Sequence, residues 1–211
     1  MPVIGQMIEI YSKYDHTFVN LIAMQYFNHG TKVMISLAAK DLFKAYYHLE
    51  PSESQTLGAF IAIPWSFRIL YGLISDNVPL FGSRRKSYLQ ICAVLQFVCM
   101  IGLAVIDIKS EMIAVWLLFM FSITMAFSDV IVDSLMVIQA RKDPRFGAGE
   151  LNAFMATMLA IGGLFGSIIA GVLTENYDPR YCFVLSSIIG LSIVYSSIKL
   201  DKKIEEEGND A

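Results

Sequence analysis

The chain has 211 residues, of which 55% are hydrophobic and 17% charged, with a mean hydropathy of +0.55. Soluble domains carry about 25% charged residues and no long uncharged apolar runs, so disorder, a coiled coil and a disulfide scaffold are excluded and a polytopic membrane protein embedded in lipid is implied. A net charge of −3 and a pI near 5.6 leave no electrostatic footprint for a nucleic-acid partner.

In chain order, residues 1–15 read as a short amphipathic helix. Val3, Ile4, Met7, Ile8, Tyr11 and Tyr14 recur at helical spacing, with Gln6, Glu9, Ser12 and Lys13 on the other side. Such a helix either lies in the membrane interface or packs as an ordinary surface helix. Residues 16–200 form the membrane domain. Six spans are predicted over residues 18–39, 57–74, 88–106, 112–132, 151–173 and 181–198, each within the ~17 to 25 residues that a tilted helix needs to cross hydrocarbon. Their apolar runs are continuous, whereas barrel strands alternate. The fold class expected is therefore all-α: six transmembrane helices with a short N-terminal interfacial helix. Residues 201–211, with Glu205, Glu206 and Glu207, form an acidic polar tail.

Basic residues are distributed unevenly between the two sides. Lys13, Arg84, Arg85, Lys86, Arg141, Lys142, Arg145, Lys199, Lys202 and Lys203 lie on the side of the N-terminus, against Lys40, Lys44, Lys109 and Arg180 opposite. That bias predicts both termini on the cytoplasmic side, or on the matrix side of a mitochondrial inner membrane. No secretory signal or Arg-rich transit peptide is legible at the start. Cys92, Cys99 and Cys182 all fall in apolar runs without a C-x-x-C pair and read as buried, inert thiols. His16, His29 and His48 are scattered, so neither a metal site nor a cofactor is expected.

Charges inside spans are costly and need a partner or a task. The candidates for a substrate or gating role are Lys32, Arg68, Asp129 and Asp133. Asp129 and Asp133 are four apart and share one face of the fourth predicted span. Counting ~1.5 Å per residue from the helix ends puts Arg68 and Asp133 at similar depth, so an ion pair between them is feasible. It can serve as a structural interhelical pair, a gate, or part of a substrate or proton site. Lys32 lies deeper, with Asn28 and His29 a turn before it. That cluster can face a cavity and bind an anion, or pair with a carboxylate on another helix. Pro64 removes a backbone hydrogen bond and should bend the second span. Trp65 follows it, well inside the span rather than in an interfacial belt. Gly162, Gly166 and Ala170 form a small-residue stripe that admits another helix, within the bundle or from a partner.

The loop from Gly72 through Ser75 and Asp76 to Arg84, Arg85 and Lys86 resembles the signature of major facilitator superfamily transporters in the same loop. Over a wider stretch, Ile63-Pro64-Trp65-Ser66-Phe67-Arg68 continuing to Asp76 is similar to the second-helix signature of the folate–biopterin transporter family. Ser128-Asp129-Val130-Ile131-Val132-Asp133, ending at Ala140-Arg141, resembles that family's fourth-helix signature. The pattern usually has Lys-Pro where this chain has Arg68-Ile69, and an acidic residue where it has Ile138. The likeness covers nearly the whole chain. It implies the N-terminal six-helix half of a fold with about twelve spans, in which the solute path runs between two halves near the midplane.

Two functions follow from that resemblance. One is a half-size carrier of a pterin, folate or other organic solute, acting as a homodimer or with a second half. The other is a non-transporting structural subunit of a large membrane complex, for example a respiratory-chain assembly, with other subunits covering the open face. An enzyme is not expected, because the chain has no Ser–His–Asp order, no H-E-x-x-H and no phosphate-cradling glycine loop after a strand.

Overall fold

The computed structural model describes residues 2–80 and 85–199. Arg84 and the acidic tail 201–211 lie outside the described residues, as do the side chains of Val3, Ile4, Gln6 and Ile8. The chain is an all-α membrane protein. Its helices are α1 (Pro2–Lys13), α2 (His16–Asp41), α3 (Pro51–Ala62), α4 (Arg68–Asn77), α5 (Lys86–Val105), α6 (Glu111–Ala140), α7 (Gly147–Asn176) and α8 (Arg180–Ile198). A π-helical turn, Leu42–Tyr46, closes α2, and a 3-10 turn, Ile63–Phe67, joins α3 to α4.

Local chemistry sets these boundaries. Asp15 caps α2 by accepting from the backbone N–H groups of Thr17 (2.7 Å) and Phe18 (3.2 Å). The Thr17 hydroxyl also bonds it, and these bonds hold its carboxyl below the usual carboxylate range. At the start of α3, Glu50 and Glu53 form a reciprocal capping box with Pro51 just inside. The bend expected at Pro64 is a full break of the α-helix into the 3-10 turn.

Five helical stretches are long and apolar enough to cross a membrane: Pro51–Asn77, Lys86–Val105, Glu111–Ala140, Gly147–Asn176 and Arg180–Ile198. The first predicted span differs. α2 has 26 residues, ample for a crossing, but its hydropathy is diluted by Asn20, Gln25, Asn28, His29, Thr31 and Lys32. The reason is position. α2 is the interior helix, packed along α7, α8 and α6, and it aims polar groups at other helices rather than at lipid.

The packing has two apolar clusters. The one near α1 gathers Phe18, Leu21, Leu89, Leu135, Leu151 and Ile193. The one at the opposite end gathers Met34, Phe43, Met100, Leu118, Met125 and Phe183. Reciprocal amide bonds between Asn28 and Gln96 (3.3 and 3.5 Å) tie α2 to α5, with Gln96 lying against Gly190 of α8. The three cysteines are free and buried.

The α2–α7 contact depends on small residues. A Cβ on Gly162 would collide with the backbone carbonyl of Phe27, one on Gly30 with that of Leu159, and one on Gly166 would reach Thr31 Cα at 3.0 Å. Ala170 is fully buried on the same stripe. The Gly162–Gly166–Ala170 stripe is therefore occupied by α2 inside the bundle and is not the docking face for another subunit. Gly72, by contrast, would place a Cβ at ordinary contact distance (3.5 Å) from Val130.

Each end of the bundle is tied by charge. Lys13 reaches Asp143 and Glu150, both at 2.6 Å, fixing α1 to the α6–α7 connection. Tyr14 and Ile10 are buried beside it. At the other end Asp107 accepts from Tyr46 (2.6 Å) and Arg180 (3.0 Å).

Candidate functional site

The polar centre is assembled from α2, the 3-10 turn, α4 and α6. One turn apart on α6, Asp129 and Asp133 present carboxylates to the same side, and Arg68, the first residue of α4, reaches both. Its Nη2 pairs closely with Asp129 Oδ2 and lies 2.8 Å from Asp133 Oδ2. The predicted Arg68–Asp133 pair is thus present, and the guanidinium also bridges to Asp129.

α2 supplies the remaining partners. His29 Nδ1 lies 3.0 Å from Asp129 Oδ1, and the Tyr26 hydroxyl donates to Asp133 Oδ1. Every oxygen of the two carboxylates is engaged. The two differ in access: the Asp129 side chain is 4% exposed, whereas those of Asp133 and Arg68 are each 41% exposed. They border a cavity of about 480 Å3 between α2, α4, α6 and α7, which Asn152 and Met155 also line. Two carboxylates thus share one guanidinium at the border of this cavity.

Lys32 is placed differently from either carboxylate. Among the described residues, no carboxylate lies within 4.0 Å of it. Its Nζ rests 4.1 Å from the centre of the Trp65 ring, a cation–π contact. His29 packs on Trp65 at 5.0 Å between ring centres, and Arg68 lies 5.6 Å from the same ring. Trp65, carried on the 3-10 turn, therefore contacts Lys32, His29 and Arg68 alike, with its indole N–H buried and unpaired. Lys32 also lines a second cavity of about 930 Å3 between α2, α3 and α6.

In the last turns of α4, Ser75 is buried and donates to the carbonyl of Gly72 (3.1 Å), while Asp76 pairs with Arg85, at the start of α5, at 3.2 Å. Tyr88 adds a bond to the carbonyl of Val78 (2.9 Å). These two contacts tie the C-terminal end of α4 to the start of α5.

Sequence reasoning left out Tyr26 and grouped His29 with Lys32 rather than with Asp129. Tyr26 gives no signal in a single sequence, because nothing marks which way α2 is turned. His29 has a weak one, three residues before Lys32 in a span where every polar group needs a partner.

A model of the BT1 family matches residues 29–210. The chain is 32% identical over 169 residues to a folate-biopterin transporter of Synechocystis, covering 80% of this chain and 34% of that protein. It is 28% identical over 183 residues to a probable folate-biopterin transporter 4 of Arabidopsis thaliana, covering 86% and 37% respectively. It is 29% identical over 189 residues to folate transporter 1 of Plasmodium falciparum, covering 87% and 36%. The chain thus spans about a third of the length of the curated relatives it matches. No solved structure matches it.

Proposed function

This chain belongs to the BT1 family, and we propose that it forms one wall of a membrane pathway for an organic solute of the pterin or folate class. Arg68 carries this reading. It bridges Asp129 and Asp133 across α4 and α6, at the border of an open cavity. A purely structural pair would need one carboxylate. Two, with His29 and Tyr26 as further partners, form a charged cluster that joins three helices at the border of a cavity.

In this reading α2 supplies a sixth crossing alongside the five apolar stretches, and both termini lie on the cytoplasmic or matrix side, as the basic-residue bias argues. The pathway is completed by protein on the cavity side, supplied by a second copy or by further helices. A charged cavity facing lipid would be costly, and it is flanked by exposed aliphatic residues of α4 and α7 such as Ile69, Leu70 and Leu164.

Uptake of radiolabelled folate or biopterin into proteoliposomes tests the proposal, combined with the mass of the particle extracted in mild detergent. Saturable uptake that falls at least about tenfold in Asp129→Asn and Asp133→Asn supports it. Uptake indifferent to both substitutions would remove these residues from the path. A particle made of unrelated subunits, with no uptake, would favour an architectural role.

A further inference from the structure

The larger cavity carries charge of one sign. Its ionisable lining residues are Lys32, Lys40 and Lys44. Positions 32, 36 and 40 follow at four-residue spacing on one face of α2, and Lys44 continues onto the π-helical turn. Among the described residues, no carboxylate lies within 4.0 Å of any of the three. Lys32 sits at the inner end, its ammonium held over Trp65. Lys40 and Lys44 are exposed at the end of α2 remote from Lys13.

A second observation points to a ligand. Ser122 of α6 lines the same cavity, is only 2% exposed, and its hydroxyl has no hydrogen-bond partner. A buried hydroxyl left unanswered is costly, and an acceptor entering the cavity would answer it. The remaining walls are mostly apolar, Phe43, Leu118 and Phe121 among them, with Ser36, Ser54 and Gln55 as uncharged polar lining. A space of about 930 Å3 so lined suits an organic molecule with one charged end better than a hydrated inorganic ion.

We propose that this cavity is an anion subsite that holds a carboxylate of a planar organic solute, with Lys32 and Ser122 as its direct partners and Lys40 and Lys44 drawing it in. Only the identity of the solute rests on the transport reading; the charge selectivity rests on the cavity. The arrangement separates the two signs. A carboxylate is attracted to the cavity lined by Lys32, Lys40 and Lys44 and repelled by Asp129 and Asp133 at the border of the other, so a solute with a ring and an acidic end would enter in one orientation.

Equilibrium dialysis on the full chain in lipid nanodiscs tests this, with folate, its neutral diamide, benzoate and inorganic phosphate as probes. Wild-type protein is expected to bind folate at least about tenfold more tightly than the diamide, with benzoate displacing folate better than phosphate does. Lys32→Gln should abolish that preference, Lys32→Arg should retain most of it, and Ser122→Ala should weaken folate a few-fold. Equal affinity for folate and diamide in wild-type protein would overturn the proposal without recourse to any variant. So would displacement by phosphate as effective as by benzoate, or no Lys32-dependent binding of either folate or benzoate. Lys32-dependent benzoate binding without folate binding would keep the site and discard the solute class. Anion binding without uptake would keep the site and discard transport. Uptake unchanged by Lys32→Gln would do the reverse.

Discussion

Gly162 of α7 lies so close to Phe27 of α2 that a single added methyl would meet the Phe27 carbonyl oxygen. Two backbones in such contact gain dispersion along the whole crossing, which in a membrane replaces the hydrophobic drive available in water. Gly162→Val is expected to destabilise the bundle by about 1–3 kcal/mol, because the obstacle is backbone and cannot rotate away. Gly171→Ala on the same helix, where a Cβ meets nothing within 4 Å, should be neutral or slightly stabilising. Thermal melts in detergent followed by circular dichroism would separate the two, and equal melting temperatures for both variants would refute the argument.

The two carboxylates around Arg68 should contribute unequally and not independently. Asp129→Asn removes a charge from an almost fully buried site and is expected to cost about 1–3 kcal/mol, since Arg68 keeps Asp133. Asp133→Asn, at a side chain 41% exposed, should cost about 0–1 kcal/mol. The double variant leaves Arg68 without a carboxylate and should exceed the sum of the singles by about 0.5–3 kcal/mol. Reversible unfolding in mixed micelles measures the cycle; additivity within about 0.5 kcal/mol would show that Arg68 does not couple the pair.

The tie between α1 and the bundle sets a pH window. The Lys13 ammonium holds the Asp143 carboxyl below its usual range, and Asp143 and Glu150 raise Lys13. For Asp143 the folded value is depressed, so its stabilisation is present above the unfolded value of about 3.9 and is lost as pH falls through the folded value. For Lys13 it is raised, so its share is full below about 10.4 and is lost only as pH climbs through the folded value. Docking of α1 should therefore be flat from about pH 5 to 10 and weaken in acid below about pH 4. Hydrogen exchange over residues 5–14 would report it, and loosening near pH 6 would point to a different contact.

Much of this site was legible because depth in a membrane helix follows from residue count. Arg68 and Asp133 could be matched by their distances from the helix ends, and Asp129 and Asp133 by their spacing of four. Rotation was not legible. Nothing in the sequence says that Tyr26 and His29 face α6, so the second oxygen of each carboxylate had no assigned partner. The partner of Lys32 was missed for a related reason, since an aromatic face is invisible to a search for opposite charge, although a Trp far from the interface was a clue. The small-residue stripe was seen, but which helix fills it depends on Gly30 opposite, a residue that reads as unremarkable within a polar span.

The 3-10 turn also sets the phase of everything that follows it. Five residues at 3.0 per turn sweep about 600°, against about 500° for an α-helix, an excess of about 100°, or one residue's worth of rotation. With an uninterrupted α-helix over Ile63–Phe67, Ile69, now 79% exposed, would occupy the bearing that Arg68 holds toward Asp129 and Asp133. Pro64 thus acts as a one-residue angular offset: it determines which side of α4 carries the guanidinium and which side is aliphatic.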